Sequence, residues 1–165
     1  MREELDKQLC EKYPLIFRDR HEDPSKTCMY WGIAVGDGWY DILDAACANI
    51  QGHIDNVAER IEWTKKWNRQ VEEAEANNFE DWEDWKARDK RDVPEPVEQV
   101  IAVQVKEKFG GLRFYYRGGD DFIDGVVRMA ESMSYRTCEV CGKPGKPTSG
   151  GWIRTVCEEH NNARS

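Results

Sequence analysis

Four side chains near the C-terminus constrain the fold more than anything else in the chain. Cys138-Glu139-Val140-Cys141-Gly142-Lys143 and Cys157-Glu158-Glu159-His160 set out the pattern C-x2-C-x15-C-x2-H. Each half places two ligands on one tight turn. The stretch between them is long enough for a hairpin that brings the halves together, which is how a tetrahedral Zn2+ site of three thiolates and one imidazole is assembled. Gly142 follows the second cysteine, where a knuckle turn calls for positive φ and a free amide near the sulfur. The expected ion is one structural Zn2+ per chain. Four protein ligands close a tetrahedron, whereas a catalytic zinc keeps a position open for water. The acidic H-x-E that precedes P-C-x-x-C in zinc deaminases is missing. No histidine lies between Cys141 and Cys157 to serve as the base of a metal-dependent nuclease. Residues 135–165 are therefore expected to be a zinc-binding module on a domain spanning 1–134.

The 165 residues suffice for that arrangement. With 39% hydrophobic and 34% charged residues the chain has a modest core. No apolar run approaches the roughly 20 residues of a membrane span, and Met1–Leu5 has no secretory-signal pattern, so contact with a membrane is not expected. Cys10, Cys28 and Cys47 read as reduced thiols, which points to the cytoplasm. The net charge of −8 disfavours indiscriminate binding to a phosphate backbone.

Periodicity supplies the elements. Arg2–Phe17 has partial helical spacing in Leu5, Leu9, Leu15 and Ile16, interrupted at Pro14. Cys28–Val35 is an apolar stretch, either a strand or an ordered loop. From Trp39 the steps are three and four through Ile42, Leu43, Ala46, Ile50, Ile54, Val57 and Ile61, predicting a long helix that runs to about Ala76. A second helical piece is expected over Phe79–Arg91, ended by Pro94 and Pro96. Val100–Lys108 and Leu112–Arg117 flank Phe109-Gly110-Gly111 as a β-hairpin. Alternation puts Ile101, Val103, Val105, Leu112, Phe114 and Tyr116 on its buried face. A final helix follows Asp120 or Asp121 as N-cap, with Phe122, Ile123, Val126, Val127, Met129, Ala130 and Met133 on its buried side. Trp152, Ile153 and Val156 are expected to pack the zinc module onto the domain. The fold class is α+β: long helices packed on a small antiparallel sheet, with a C-terminal zinc ribbon.

Two places could carry binding. The outer hairpin face gathers Lys106, Lys108, Arg113, Tyr115 and Arg117, four cations and an aromatic in an acidic protein. That set suits a nucleotide or a single-stranded nucleic acid, and equally a solvated face paired with acidic helices. The charged insertion at about 59–92 holds four of the seven tryptophans, Trp63, Trp67, Trp82 and Trp85. Their edges could pack on each other or anchor another chain. Asp37, Asp41 and Asp44 could hold a divalent cation, although acidic residues at a helix start more commonly complement its dipole. His21 and His53 have no nucleophile at recognisable spacing, and no phosphate-binding Gly loop or nucleophile elbow occurs.

The run Gln104-Val105-Lys106-Glu107-Lys108-Phe109-Gly110-Gly111-Leu112-Arg113-Phe114-Tyr115 resembles a motif of small uncharacterised bacteriophage and prophage proteins. Gly38–Leu43, Cys138–Gly145 and Gly151–Cys157 share the resemblance, which covers roughly 28–58 and 97–160. The Trp-containing segment between would be a variable insertion. The resemblance implies a role inside an infected bacterium. By analogy with small phage proteins, the expected activity is binding to a host protein, with a defence or transcription component as target class. The alternative is a nucleotide or nucleic-acid binding module on the basic hairpin face.

Overall fold

The structure, a computed structural model, describes residues 1–25, 27–76 and 89–162. It is α+β. Helix α1 spans Glu3–Lys12, α2 Tyr40–Ala76, α3 Asp121–Ser134 and α4 Glu158–Asn162; strands β1 and β2 span Ile101–Lys108 and Gly111–Arg117, and β3 and β4 span Lys146–Pro147 and Thr155–Val156.

Helix α2 buries Ile42, Leu43, Ala46, Ile50, Ile54 and Val57 of the stripe that the spacing predicts, together with Cys47, whereas Ile61 is only half-buried. Its 37 residues make a rod about 55 Å long, and past Val57 its buried positions are Thr64 and Val71. Helix α1 ends at Lys12, before Pro14. Lys12 and the Tyr13 hydroxyl fasten it to Asp44 of α2 at 2.7 and 2.9 Å. Arg20 donates to the buried Asp6 carboxylate from two nitrogens, at 2.9 and 2.7 Å. Cys28–Trp31 is neither strand nor loop but a 3-10 turn capped by the Thr27 hydroxyl.

The β1–β2 hairpin is antiparallel, with Lys106 opposite Arg113 and Gln104 opposite Tyr115. Its inner face differs from the simple alternation. The register shifts between Ala102 and Gln104, and this bulge at Val103 switches which residues point inward. Val100, Ala102 and Val105 enter the main core with Leu112 and Phe114, whereas Val103 is half-buried. Both hairpin edges are occupied. Ala34 bonds with Val105 and Glu107 along β1, and Ile16 accepts from Ala102. On the β2 edge, the amides of Leu112 and Phe114 donate to Ser134 Oγ and Glu131 Oε1 of α3.

Helix α3 starts at Asp120, whose carboxylate accepts from the Ile123 amide at 3.1 Å. It runs antiparallel to α2: His53 meets Asp120 at one end, and Asp41 and Ile42 lie near Met133 at the other. Its buried residues are Ile123, Val126, Val127, Ala130 and Ser134. Phe122, Met129 and Met133, expected inside, are instead 50%, 58% and 47% exposed. The apolar arc of this helix is wider than the surface that covers it.

The predicted second helical piece, Phe79–Arg91, lies outside the described residues up to 88; from Asp89 to Val100 the chain is not helical. It returns as an extended strap along α2. The Asn68 side chain brackets the Arg91 backbone with two 2.8 Å bonds, and Gln51 and Gln99 pair side chain to side chain at 3.0 Å. From Gln51 to Asn68 a helix rises about 26 Å, and from Arg91 to Gln99 an extended chain covers about the same distance. Pro94 and Pro96 suit that extended backbone. No described helix is long and apolar enough to cross a membrane.

Candidate metal centre

The first knuckle is a tight turn: the Cys138 amide donates to Lys143 O at 2.7 Å and the Gly142 amide returns to Cys138 O at 2.9 Å. Gly142 adopts φ 75°, the left-handed conformation its place after the second cysteine predicts. The β3–β4 ladder, with Lys146 opposite Val156, carries the chain to the second knuckle. Helix α4 follows Cys157 at once and presents His160. The ligand atoms of Cys138, Cys141, Cys157 and His160 all lie within 4.8 Å of one another, close enough to hold a metal ion. His160 Nδ1 is 3.5 Å from Cys138 Sγ and 3.2 Å from Cys157 Sγ. Cys141 Sγ and Cys157 Sγ stand 3.7 Å apart, far beyond the bonded length of about 2.05 Å.

The donor set is short of positive charge. Burial opposes ionisation of Cys138, but the amides of Cys157, Cys141 and Val140 outweigh it and bring the thiol down to about 6. At Cys141 the Lys143 amide favours the thiolate, yet desolvation and the neighbouring thiols of Cys138 and Cys157 prevail and push its pKa up. Thiolates this close repel one another, and a cation that joins them relieves the repulsion, which is the chemistry of a thiolate metal site. Around it, Lys143 bonds Glu159 at 2.9 Å across the two knuckles, and the buried Glu139 is paired with Arg154.

The knuckle is pressed onto the domain. A Cβ on Gly38 would lie 2.1 Å from Cys138 O and 2.4 Å from the Gly142 nitrogen, both backbone atoms. The Gly38 amide donates to Glu139 O, and the wholly buried Trp39 donates Nε1–H to Thr137 O at 2.8 Å. At the hairpin turn, buried Thr155 donates to Gly110 O at 2.6 Å, while Gly111 leaves room for the Tyr135 ring. These contacts were missed in sequence because nothing local distinguishes a docking glycine from a turn glycine. The expected anchors differ as well: Val156 is buried, but Trp152 is 75% exposed and Ile153 38%.

The other candidate residues divide. Arg113 bonds the Tyr135 hydroxyl at 2.8 Å and lies 3.9 Å from Glu131, and Arg117 pairs with Asp19 at 3.0 Å. These two belong to the fold. Lys106 and Lys108 have no carboxylate partner among the described residues; they lie over the rings of Tyr115 and Phe109, each at 5.5 Å. Trp63 and Trp67 stack at 5.9 Å beneath Arg91, whose guanidinium lies 4.6 and 5.0 Å from their centroids, so this pair is partly self-satisfied. Trp82 and Trp85 lie outside the described residues. The acidic row does not converge: Asp37 meets Arg2 and Asp44 meets Lys12, and Asp41 has no ion-pair partner among the described residues. His53 pairs with Asp120 at 2.8 Å and stacks on Phe122; His21 ends a 3-10 turn. Compared with known proteins, the chain matches no family model, no curated protein and no solved structure.

Proposed function

We propose that this is a zinc-stabilised binding protein of the phage or prophage kind, which acts in the bacterial cytoplasm by docking onto a host protein, with a defence or transcription component as target class. The observation that carries this reading is the amount of large apolar surface left in water on a stapled scaffold: Trp31 and Trp152 are 77% and 75% exposed and Phe109 68%. Such side chains are costly to hydrate and are typical anchors of protein interfaces.

Zinc is the ion that suits the site. A tetrahedron with metal–sulfur bonds of about 2.3 Å and metal–nitrogen bonds of about 2.0 Å has sulfur–sulfur edges near 3.8 Å and sulfur–nitrogen edges near 3.5 Å. The separations of 3.7 Å and of 3.5 and 3.2 Å lie close to both. All four positions are taken by protein, so the ion's role is structural.

The test is native mass spectrometry of the tagged chain drawn from bacterial lysate. One zinc and one stoichiometric host protein are expected; a chain that carries zinc and no protein partner overturns the reading. A second reading, binding of a nucleotide or nucleic acid on the hairpin face, is favoured by Lys106 and Lys108, which have no carboxylate partner among the described residues and lie over the Tyr115 and Phe109 rings. Its mark is steep weakening with salt. Unchanged oligonucleotide binding in Lys106→Glu/Lys108→Glu rules it out.

A further inference from the structure

The three side chains of α3 that the fold leaves in water do not scatter. Phe122, Met129 and Met133, with Val126 between, stand at steps of four, three and four, which places them along one line of the helix. Val126, Met129 and Met133 of that line border a groove of 150 Å3 against α2, lined on the α2 side by Ile42, Ala45, Ala46 and Asn49. Small side chains keep it open, with Ala45 and Ala46 on the α2 wall and Ala130 on α3. The groove extends along α2 from Asp41 to Asn49, about 12 Å of helix.

We infer that this α2–α3 groove is the docking site for an amphipathic helix of a partner protein, with lysine or arginine flanking its apolar face; the inference rests on the protein-binding reading above. Three features select that occupant. Among the described residues, the polar side chains lining the groove are Asp41 and Asn49. An extended peptide would leave its backbone donors and acceptors unpaired there, whereas a helix satisfies its own. Methionines bend to the shape of an apolar partner, and both here are about half exposed. Finally, Asp41, which lines one end of the groove, has no ion-pair or hydrogen-bond partner among the described residues. In a chain of net charge −8, this carboxylate favours a cationic guest over a second acidic copy of the same chain.

The test uses the metal-loaded full chain and a fluorescein-labelled helical peptide, leucine at i, i+3, i+4 and i+7 spacing and lysine elsewhere. Two control peptides share its length: one with the leucines scattered, one with glutamate for lysine. Anisotropy should show the leucine–lysine helix binding about tenfold or more tighter than either control. Met129→Glu and Met133→Glu, both at exposed positions, should each weaken it by about tenfold with the melting temperature unchanged, and Asp41→Lys should favour the glutamate peptide. Equal binding of the scattered control, or unaltered binding by both methionine variants, overturns the inference. So does a concentration-dependent dimer that Met133→Glu abolishes, which would give the groove to a second copy. Wild type and Met133→Glu, used together as bait in lysate, separate the two claims. If both capture the same host protein, the groove is not its site and the binding reading stands. If neither captures one, the host-protein reading falls and the peptide titration decides the groove by itself.

Discussion

At the scale of single residues, the four side chains that come close enough to hold a metal ion were legible, and the contacts that seat them were not. The four ligands and Gly142 follow from spacing, because a knuckle is made by neighbours in sequence. Gly38 depends on Cys138 and Gly142, far along the chain. Substituting it should be expensive, because the intruding carbon meets backbone that cannot move aside. Gly38→Ala is expected to lower the urea-unfolding free energy of the zinc-loaded protein by about 3 kcal/mol. Gly52→Ala, with open space around the new carbon, should raise it by about 0.5–1 kcal/mol, the ordinary gain of alanine over glycine within a helix. Trp39→Phe tests the link from the core to the module. Without the indole donor, Thr137 O loses its 2.8 Å bond, at a cost of about 1–3 kcal/mol.

At the scale of elements, the long helix, the hairpin and the last helix were legible from periodicity, and the errors have physical causes. The hairpin's inner face was misjudged at Val103 because a bulge breaks strict alternation, and nothing in Ile101–Val105 marks it locally. The buried side of α3 was drawn too wide because hydrophobicity tells what could be covered, not what there is to cover it. A module built around a metal ion folds with it, since the affinity of such a site is also folding energy. Chelation, or Cys141→Ser, should therefore remove hydrogen-exchange protection from Cys138 through Asn162. The β1–β2 ladder should keep most of its protection, because its edges are held by Ala34, Ser134 and Glu131. Equal loss in both would make the module and the domain one cooperative unit.

For the whole molecule, acidity is the condition that should dismantle it first. Lys12 bonded to Asp44, and the Arg2 amide bonded to Asp37, hold both carboxyls below their ordinary range. A carboxyl whose folded pKa is depressed adds stability that is fully present above its unfolded value, near 4, and lost as pH falls through the folded one. Both carboxylates fasten the N-terminal segment to the start of α2, so that contact should loosen below about pH 4. Asp44→Asn should flatten the stability profile between about pH 2 and 4 with little change in slope above it, as read from urea midpoints across that range. An unchanged acid limb would show that the Asp44 contact adds nothing to the fold.

The strap along α2 carries a consequence for how this chain can vary in length. Helix and strap measure the same distance in different units, about 1.5 Å per residue on one side and 3.3 Å on the other, like the two scales of a vernier. A deletion in the arm between Gln51 and Asn68 cannot be absorbed alone, because the Asn68–Arg91 and Gln51–Gln99 contacts would fall out of step. Removing one turn of the helix calls for removing about two residues of the strap. Viable length variants of this protein should lose or gain residues on the two sides in a ratio of about two to one.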